Sequence, residues 1–305
     1  ELIMNLLGKR YLFFAISAIV ILPGLIILAS GGLPLSIDFT GGSLLEVTFT
    51  GTTPQPAEVL AVYENANIRD ATVQTTETGG IIIRSEFLDN DKRDALLSTM
   101  SETFGETTIQ RFDSVGPSIG EQVTSRAAMA VTVSSLLVVL YIAFSFRGVK
   151  GAYRYGISAI LAMIHDVALI FSISAVGGLL FGWEIDSLFL TALLTVIGFS
   201  MQDSIVVFDR IRENSNSLRR LDYETLVNHS IVQTLQRSIN TQLMTVEFLL
   251  LALAFFGGVT LRQFVVVLLV GLMSGTYSSI FIAAPVLVVW EGKEWKTWFK
   301  KKATA

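Results

Sequence analysis

The sequence predicts an α-helical polytopic membrane protein of six spans with one inserted α+β domain. Three observations carry this reading. The mean hydropathy is +0.60. Charged residues make up 16% of the 305-residue chain, against about 25% in a soluble globule. The charges are also uneven, gathered between residues 35 and 125 while the rest falls into long uncharged runs. An average this apolar, divided this way, fits a bilayer as solvent with a single polar domain set into the chain.

A span needs about 20 mostly apolar residues. Six runs qualify: Tyr11–Ala29, Ala127–Phe146, Ile157–Leu180, Leu188–Phe208, Ile239–Phe256 and Phe264–Trp290. The first follows Lys9 and Arg10 and imitates a signal peptide, but no convincing small-x-small cleavage site follows it, so it reads as a retained span. The loop charges alternate. Lys9/Arg10, then Arg147/Lys150/Arg154, then Arg210/Arg212/Arg219/Arg220, then Lys293, Lys296, Lys300, Lys301 and Lys302 fall on one side, whereas the turns Gly182–Ser187 and Gly257–Gln263 carry one base between them. By the positive-inside rule both termini are cytoplasmic, and the 35–125 segment lies outside the cytoplasmic membrane.

The polar segment has its own order. Ser43–Thr50 alternates like a half-buried strand, and Pro56–Asn65 has helical spacing after a proline start. Ala71–Thr76 is rich in β-formers, Thr78-Gly79-Gly80 is a turn signal, and Ile81–Ser85 follows as a strand. Asp89/Asn90 cap a helix that runs through Phe104 and ends at Gly105, and Thr107–Val115 is a last strand. The order β-α-β-β-α-β predicts a ferredoxin-like split βαβ module, which by itself implies no chemistry. Before it, Ile37–Gly42 ends in two glycines suited to positive φ, with Asp38 and Thr40 able to bond the turn. After it, Gly116-Pro117-Ser118-Ile119-Gly120 reads as a bend rather than a helix, with Gly116, Pro117 and Gly120 as a hinge. The expected division is therefore 1–34, an N-terminal segment and first span; 35–115, the extracytoplasmic domain; 116–126, the hinge; 127–292, a five-helix membrane domain; and 293–305, a basic cytoplasmic tail.

Several function classes are set aside by residue content. There is no cysteine, which removes disulfides and cysteine-based metal or redox sites. Two histidines, His165 and His229, are too few for a histidine-only metal site. The net charge of −4, with no dense basic cluster beyond the terminal lysines, argues against nucleic acid as a partner. No nucleophile elbow, Walker loop, zinc spacing or paired catalytic carboxylates appear, so the chain does not read as an enzyme, and no cofactor or metal is expected. The segment from Asp209 to Ser238 is mixed in charge, with Leu218, Leu221, Leu226 and Ile231 available to a membrane face, and reads as a solvated connecting helix.

Ionisable groups within spans cost at least about 2.5–3.5 kcal/mol each on insertion scales, which makes them functional candidates. His165 and Asp166 fall mid-way along the third span, Asp203 in the fourth, and Arg237 and Glu247 at or within the fifth. Asp203 is about 8 Å inside the end of its span and needs a partner. Arg237 enters the next span from the same side and is the natural one, with Thr241 one turn further along its face. A carboxyl group whose proton affinity depends on an approaching arginine is the minimum equipment of a proton relay. A static salt bridge is the alternative. His165 and Asp166 read as a candidate relay or as a structural pair that pins helices together, and Glu247 has no account.

Ile37–Gly42 (IDFTGG), Val115–Gly120 (VGPSIG), His165-Asp166-Val167, Asp203–Asn214 (DSIVVFDRIREN), Arg237–Thr241 (RSINT) and Gly275–Pro285 (GTYSSIFIAAP) together resemble the SecF proteins, the family that partners SecD in bacterial protein export. The motifs run in order through nearly the whole chain. That family is similar in architecture to half of a proton-driven transporter of the resistance-nodulation-division superfamily. The resemblance implies work in the cell inner membrane beside the SecYEG channel, with SecD and YajC, using the proton-motive force to draw a translocating preprotein out on the far side. It also implies that Asp203, Arg237 and Thr241, which match the family's fourth- and fifth-span motifs, belong to a proton pathway. Two departures stand out. Gln202 replaces the usual asparagine before the aspartate, and Gln242-Leu243-Met244-Thr245 replaces a Ser-Leu-Thr-Thr run. A proton-driven small-molecule exporter and a purely structural scaffold are the competing readings. The exporter calls for larger porter domains and twice the spans, whereas the scaffold would tolerate an apolar residue at position 203.

Overall fold

The computed structural model describes residues 5–50, 53–76, 79–147, 151–256 and 259–294, with the side chains of 254–260 outside the description. Thr78, Lys150, Lys296, Lys300, Lys301 and Lys302 lie outside the described residues. The chain divides into two compact units, Leu35–Ala130 and the remainder on either side of it. Among the described residues five helices are long and apolar enough to cross a membrane: Leu7–Gly31, Pro117–Ser145, Ala152–Phe181, Ser187–Ser217 and Leu261–Glu291. The remaining expected span, the fifth in chain order at Ile239–Phe256, is helical but runs to the edge of the described residues and is not among the five.

Helix α1 covers Arg10–Gly31 and α2 is a single turn, Ile37–Thr40. The Leu35–Ala130 unit then follows in the order β1 (Gly42–Phe49), α3 (Pro56–Asn65), β2 (Thr72–Thr75), β3 (Ile81–Ser85), α4 (Asn90–Phe104), β4 (Thr107–Val115) and the first part of α5 (Pro117–Ser145). The sheet is antiparallel in the order β2-β3-β1-β4. Alternation decides which face is inside: Leu45, Val47, Ile81 and Ile83 are buried against Val59, Tyr63, Leu96 and Met100 of α3 and α4. The helix ends are specified locally. Glu58 accepts the Gln55 N–H at 2.8 Å, the Asp89 carboxylate accepts the Lys92 N–H at 2.8 Å, and Gly105 takes φ +95° after α4.

The segment read as a bend is instead the opening of a helix. Pro117 sits in the first turn of α5, where its missing N–H has no partner to lose, and the helix continues unbroken to Ser145. The compact unit accordingly runs on to Ala130. The reason is a close packing of backbones. Gly41 and Gly42 take φ +74° and +122°, and a Cβ at Gly120 would stand 2.6 Å from Gly41 N. The Thr124 hydroxyl donates to the Phe39 carbonyl at 2.9 Å.

The helical unit consists of α1, the remainder of α5, α6 (Ala152–Phe181), α7 (Ser187–Ser217), α8 (Tyr223–Phe256), α9 (Val259–Ser278) and α10 (Ala284–Glu291), with one π-helical turn at Ser279–Ala283 joining the last two. Glycine contacts set how closely the helices approach. A Cβ at Gly24 of α1 would run into the backbone of Ser172 on α6. On α9, Gly271 abuts Val196 and Gly275 abuts Ser200, both on α7. No separate connecting helix lies between α7 and α8. Leu226 and Ile231, expected at a membrane face, are 4% and 0% exposed, because α8 begins at Tyr223 and turns these side chains inward. Asn214 on α7 donates to Ser230 at 2.8 Å and Gln233 at 2.9 Å on α8. Arg10 joins the helix ends through Glu224 at 3.0 Å and Glu294 at 2.6 Å, and Arg154 pairs with Glu291.

Candidate functional site

Asp203 lies near the middle of α7 and is partly exposed. Its direct partner is a hydroxyl rather than the expected guanidinium. Thr276 on α9 donates to Asp203 Oδ2 at 2.6 Å, and the Thr276 hydroxyl oxygen also lies 3.1 Å from Gln242 Oε1 on α8. Arg237 is near enough for its charge to act on Asp203, but no ion pair within 4 Å joins the two among the described residues. The Arg237 side chain is exposed in the isolated chain. Thr241 is also exposed, and its hydroxyl donates back to the Arg237 carbonyl at 2.9 Å. The structure thus brings Asp203, Thr276 and Gln242 into contact and leaves Arg237 and Thr241 together one step away on α8.

Asp166 is 1% exposed and has far more partners. The Ser274 hydroxyl donates to its Oδ1 at 2.5 Å, and those of Ser200 and Ser278 donate to Oδ2 at 2.5 and 2.6 Å. His165 Nδ1 lies 3.1 Å from Oδ1, which fills the acceptor capacity of the carboxylate. From the other ring nitrogen the polar chain continues to Ser17 at 2.9 Å, from Ser17 to Tyr277 at 3.2 Å, and from Tyr277 to the Phe13 carbonyl at 3.0 Å. Asp166 therefore ties α6 to α7 and α9, and His165 ties it to α1.

The two acids share helices. Ser200 and Asp203 sit on α7, and Ser274, Thr276 and Ser278 on α9. Alternate residues of α9 face different acids, and the glycines at 271 and 275 bring the two backbones near enough for short hydroxyl side chains to reach. The π-helical turn begins directly after Ser278, a feature frequent at functional sites. Sequence reasoning quoted Gln242 as a departure and Thr276 and Ser278 within the Gly275–Pro285 motif, but it did not set them beside the two acids, and it missed Ser200 and Ser274. The available signal was the polar run Ser274–Ser279 inside an otherwise apolar span.

The residues predicted as a hinge lie in the other unit. Gly116 has open space where a Cβ would be, whereas Pro117 and Gly120 belong to the first turn of α5 and pack on Gly41. Glu247 is exposed on α8 with no polar partner among the described residues.

Residues 96–293 match the model of the SecD/SecF protein-export membrane protein family, C-terminal region, and residues 26–53 match the SecD/SecF GG motif. Protein translocase subunit SecF of Anaerolinea thermophila is 62% identical over 98% of both chains, and that of Thermobaculum terrenum 45% identical over 98% of this chain and 97% of its own. The crystal structure of SecDF, a translocon-associated membrane protein from Thermus thermophilus, superposes with a TM-score of 0.80 at 32% identity over 96% of this chain. This chain spans 40% of that longer polypeptide. With its GG motif lodged against α5 and its acids in the helical unit, the chain belongs to the SecD/SecF family of protein-export membrane proteins.

Proposed function

We propose that this chain is the SecF-type subunit of a Sec export machinery, paired with SecD and working beside SecYEG and YajC to couple the proton-motive force to the outward movement of a preprotein. The observation that carries the coupling step is Asp203: a carboxyl group mid-way along a membrane helix, bonded to a neutral hydroxyl, with the charge of Arg237 within reach. An acid so placed can lose its proton when the arginine closes on it and take one up when the arginine withdraws. Thr241, one turn beyond Arg237, serves as the next hydroxyl on that path.

In this reading α8 supplies the fifth of six spans, both termini are cytoplasmic, and the β-α-β-β-α-β unit is a ferredoxin-like domain outside the inner membrane. Gly116 is the free joint of the hinge, since Pro117 and Gly120 are held. The driving force has the right scale: one charge moving through 100 mV yields about 2.3 kcal/mol, enough to bias a two-state swing of a few kcal/mol but not to unfold a stable domain. The motor therefore acts on a chain already extended. Vesicles depleted of the native protein should lose the part of export that an uncoupler abolishes, and regain it when this chain and its SecD partner are returned. Restored export that ignores the uncoupler contradicts the proposal.

A further inference from the structure

We propose that the Thr276 hydroxyl is a switched donor that reports the charge of Asp203 to α8, with Gln242 as its second acceptor; this rests on the reading of Asp203 as the group that takes up the proton. The three side chains come from three helices, and the threonine oxygen lies 2.6 Å from Asp203 Oδ2 and 3.1 Å from Gln242 Oε1. A hydroxyl has one proton and two lone pairs, so it donates to one of these acceptors at a time and can accept as well. With Asp203 ionised, the carboxylate is the stronger acceptor and takes the bond, which the shorter distance matches.

Protonation of Asp203 reverses the order. The new carboxylic O–H becomes a donor to the Thr276 oxygen, and the threonine proton turns to Gln242 Oε1. No covalent bond is made or broken except the one between Asp203 and the arriving proton, and because that proton adds a second donor, the hydrogen bonds among the three groups rise from one to two. The change arrives on α8, where Gln242 follows Arg237 by five residues. Gln242 is suited to respond, because its amide nitrogen is buried without a partner among the described residues, so the side chain is held chiefly through the oxygen that Thr276 addresses. Among the described residues, the charged group whose field reaches Asp203 is Arg237 on α8. Asp166 is closed off by its own serines on α7 and α9.

The test is infrared difference spectroscopy of the full chain in lipid vesicles on lowering the pH. The band absent in Asp203→Asn identifies the carboxylic C=O stretch of Asp203. In Thr276→Val that band should move to higher frequency, because the acid has lost its hydrogen-bond acceptor, and Thr276→Ser should restore it. Gln242→Leu should give a smaller shift in the same direction, and Ser274→Ala, which touches only Asp166, none. A band that Thr276→Val leaves in place, or that Ser274→Ala moves as far, overturns the switch while the relay stands. Absence of any band removed by Asp203→Asn overturns the relay reading, and the switch with it.

Discussion

Gly120 in the first turns of α5 rests directly on Gly41, so that a Cβ at position 120 would stand 2.6 Å from Gly41 N and 3.1 Å from the Phe39 carbonyl oxygen. Both obstacles are backbone atoms that cannot rotate away. Gly120→Ala should therefore lower the melting stability of the purified chain by about 1–3 kcal/mol, even though alanine is the better helix former. Gly116→Ala, with open space around it, should stay within about 0.5 kcal/mol of the parent. Equal effects at both positions would mean that the glycines do not set this contact.

The Asp166 cluster makes a second prediction. Asparagine keeps the shape but offers one acceptor oxygen and an unwanted donor to three serine hydroxyls, all of them buried. Asp166→Asn should destabilise the chain by about 2–4 kcal/mol. Ser158→Ala, which removes a buried hydroxyl that has no partner among the described residues, should be neutral or stabilising. Thermal unfolding in a mild detergent checks both.

Tyr63 sits 0% exposed in the core of the Leu35–Ala130 unit with its hydroxyl unpaired among the described residues, and burial pushes its phenol up from the usual tyrosine range. The unfolded chain then releases the phenolic proton first, near pH 10, so the unfolded state binds fewer protons and stability falls as pH rises above that value. Tyr63→Phe should flatten this alkaline loss while changing stability at neutral pH by no more than about 1 kcal/mol. An unchanged alkaline slope in the variant would contradict the assignment.

Much of the Leu35–Ala130 unit was legible because its signals are local. Proline at the start of α3, Asp89 and Gly105 around α4, and the alternation of Ile81–Ser85 each specify an element without reference to the rest of the chain. The candidate site was legible only in part. Depth along a helix drew attention to Asp203, but which neighbour touches it depends on how α9 packs on α7, where Gly271 and Gly275, residues with no chemistry of their own, allow the close approach. The same limit hid Ser200, Ser274 and Ser278 behind Asp166. Pro117 misled for a different reason: a proline flanked by glycines marks a turn as well as it marks the first residues of a helix.

The proposed topology is open to labelling, since the chain has no native cysteine. Glu64 on α3 and Asn216 near the end of α7 are both exposed. An impermeant thiol reagent added outside the cytoplasmic membrane should label a cysteine at Glu64 and not one at Asn216. Labelling of both from the same side would sink the arrangement.

The coupling role of Asp203 meets its most direct test in Asp203→Asn, assayed for export driven by the proton-motive force in vesicles lacking the native protein. Asparagine preserves the size and an acceptor for Thr276 but cannot gain or lose a proton. Melting must be followed in parallel, because the charge of Arg237 loses its nearby counterpart. Arg237→Lys is the companion, retaining charge without the planar fork. The expected result is a chain that inserts and melts close to the parent and retains none of the uncoupler-sensitive export. Full uncoupler-sensitive export by Asp203→Asn would contradict it, leaving Asp203 a structural partner of Thr276.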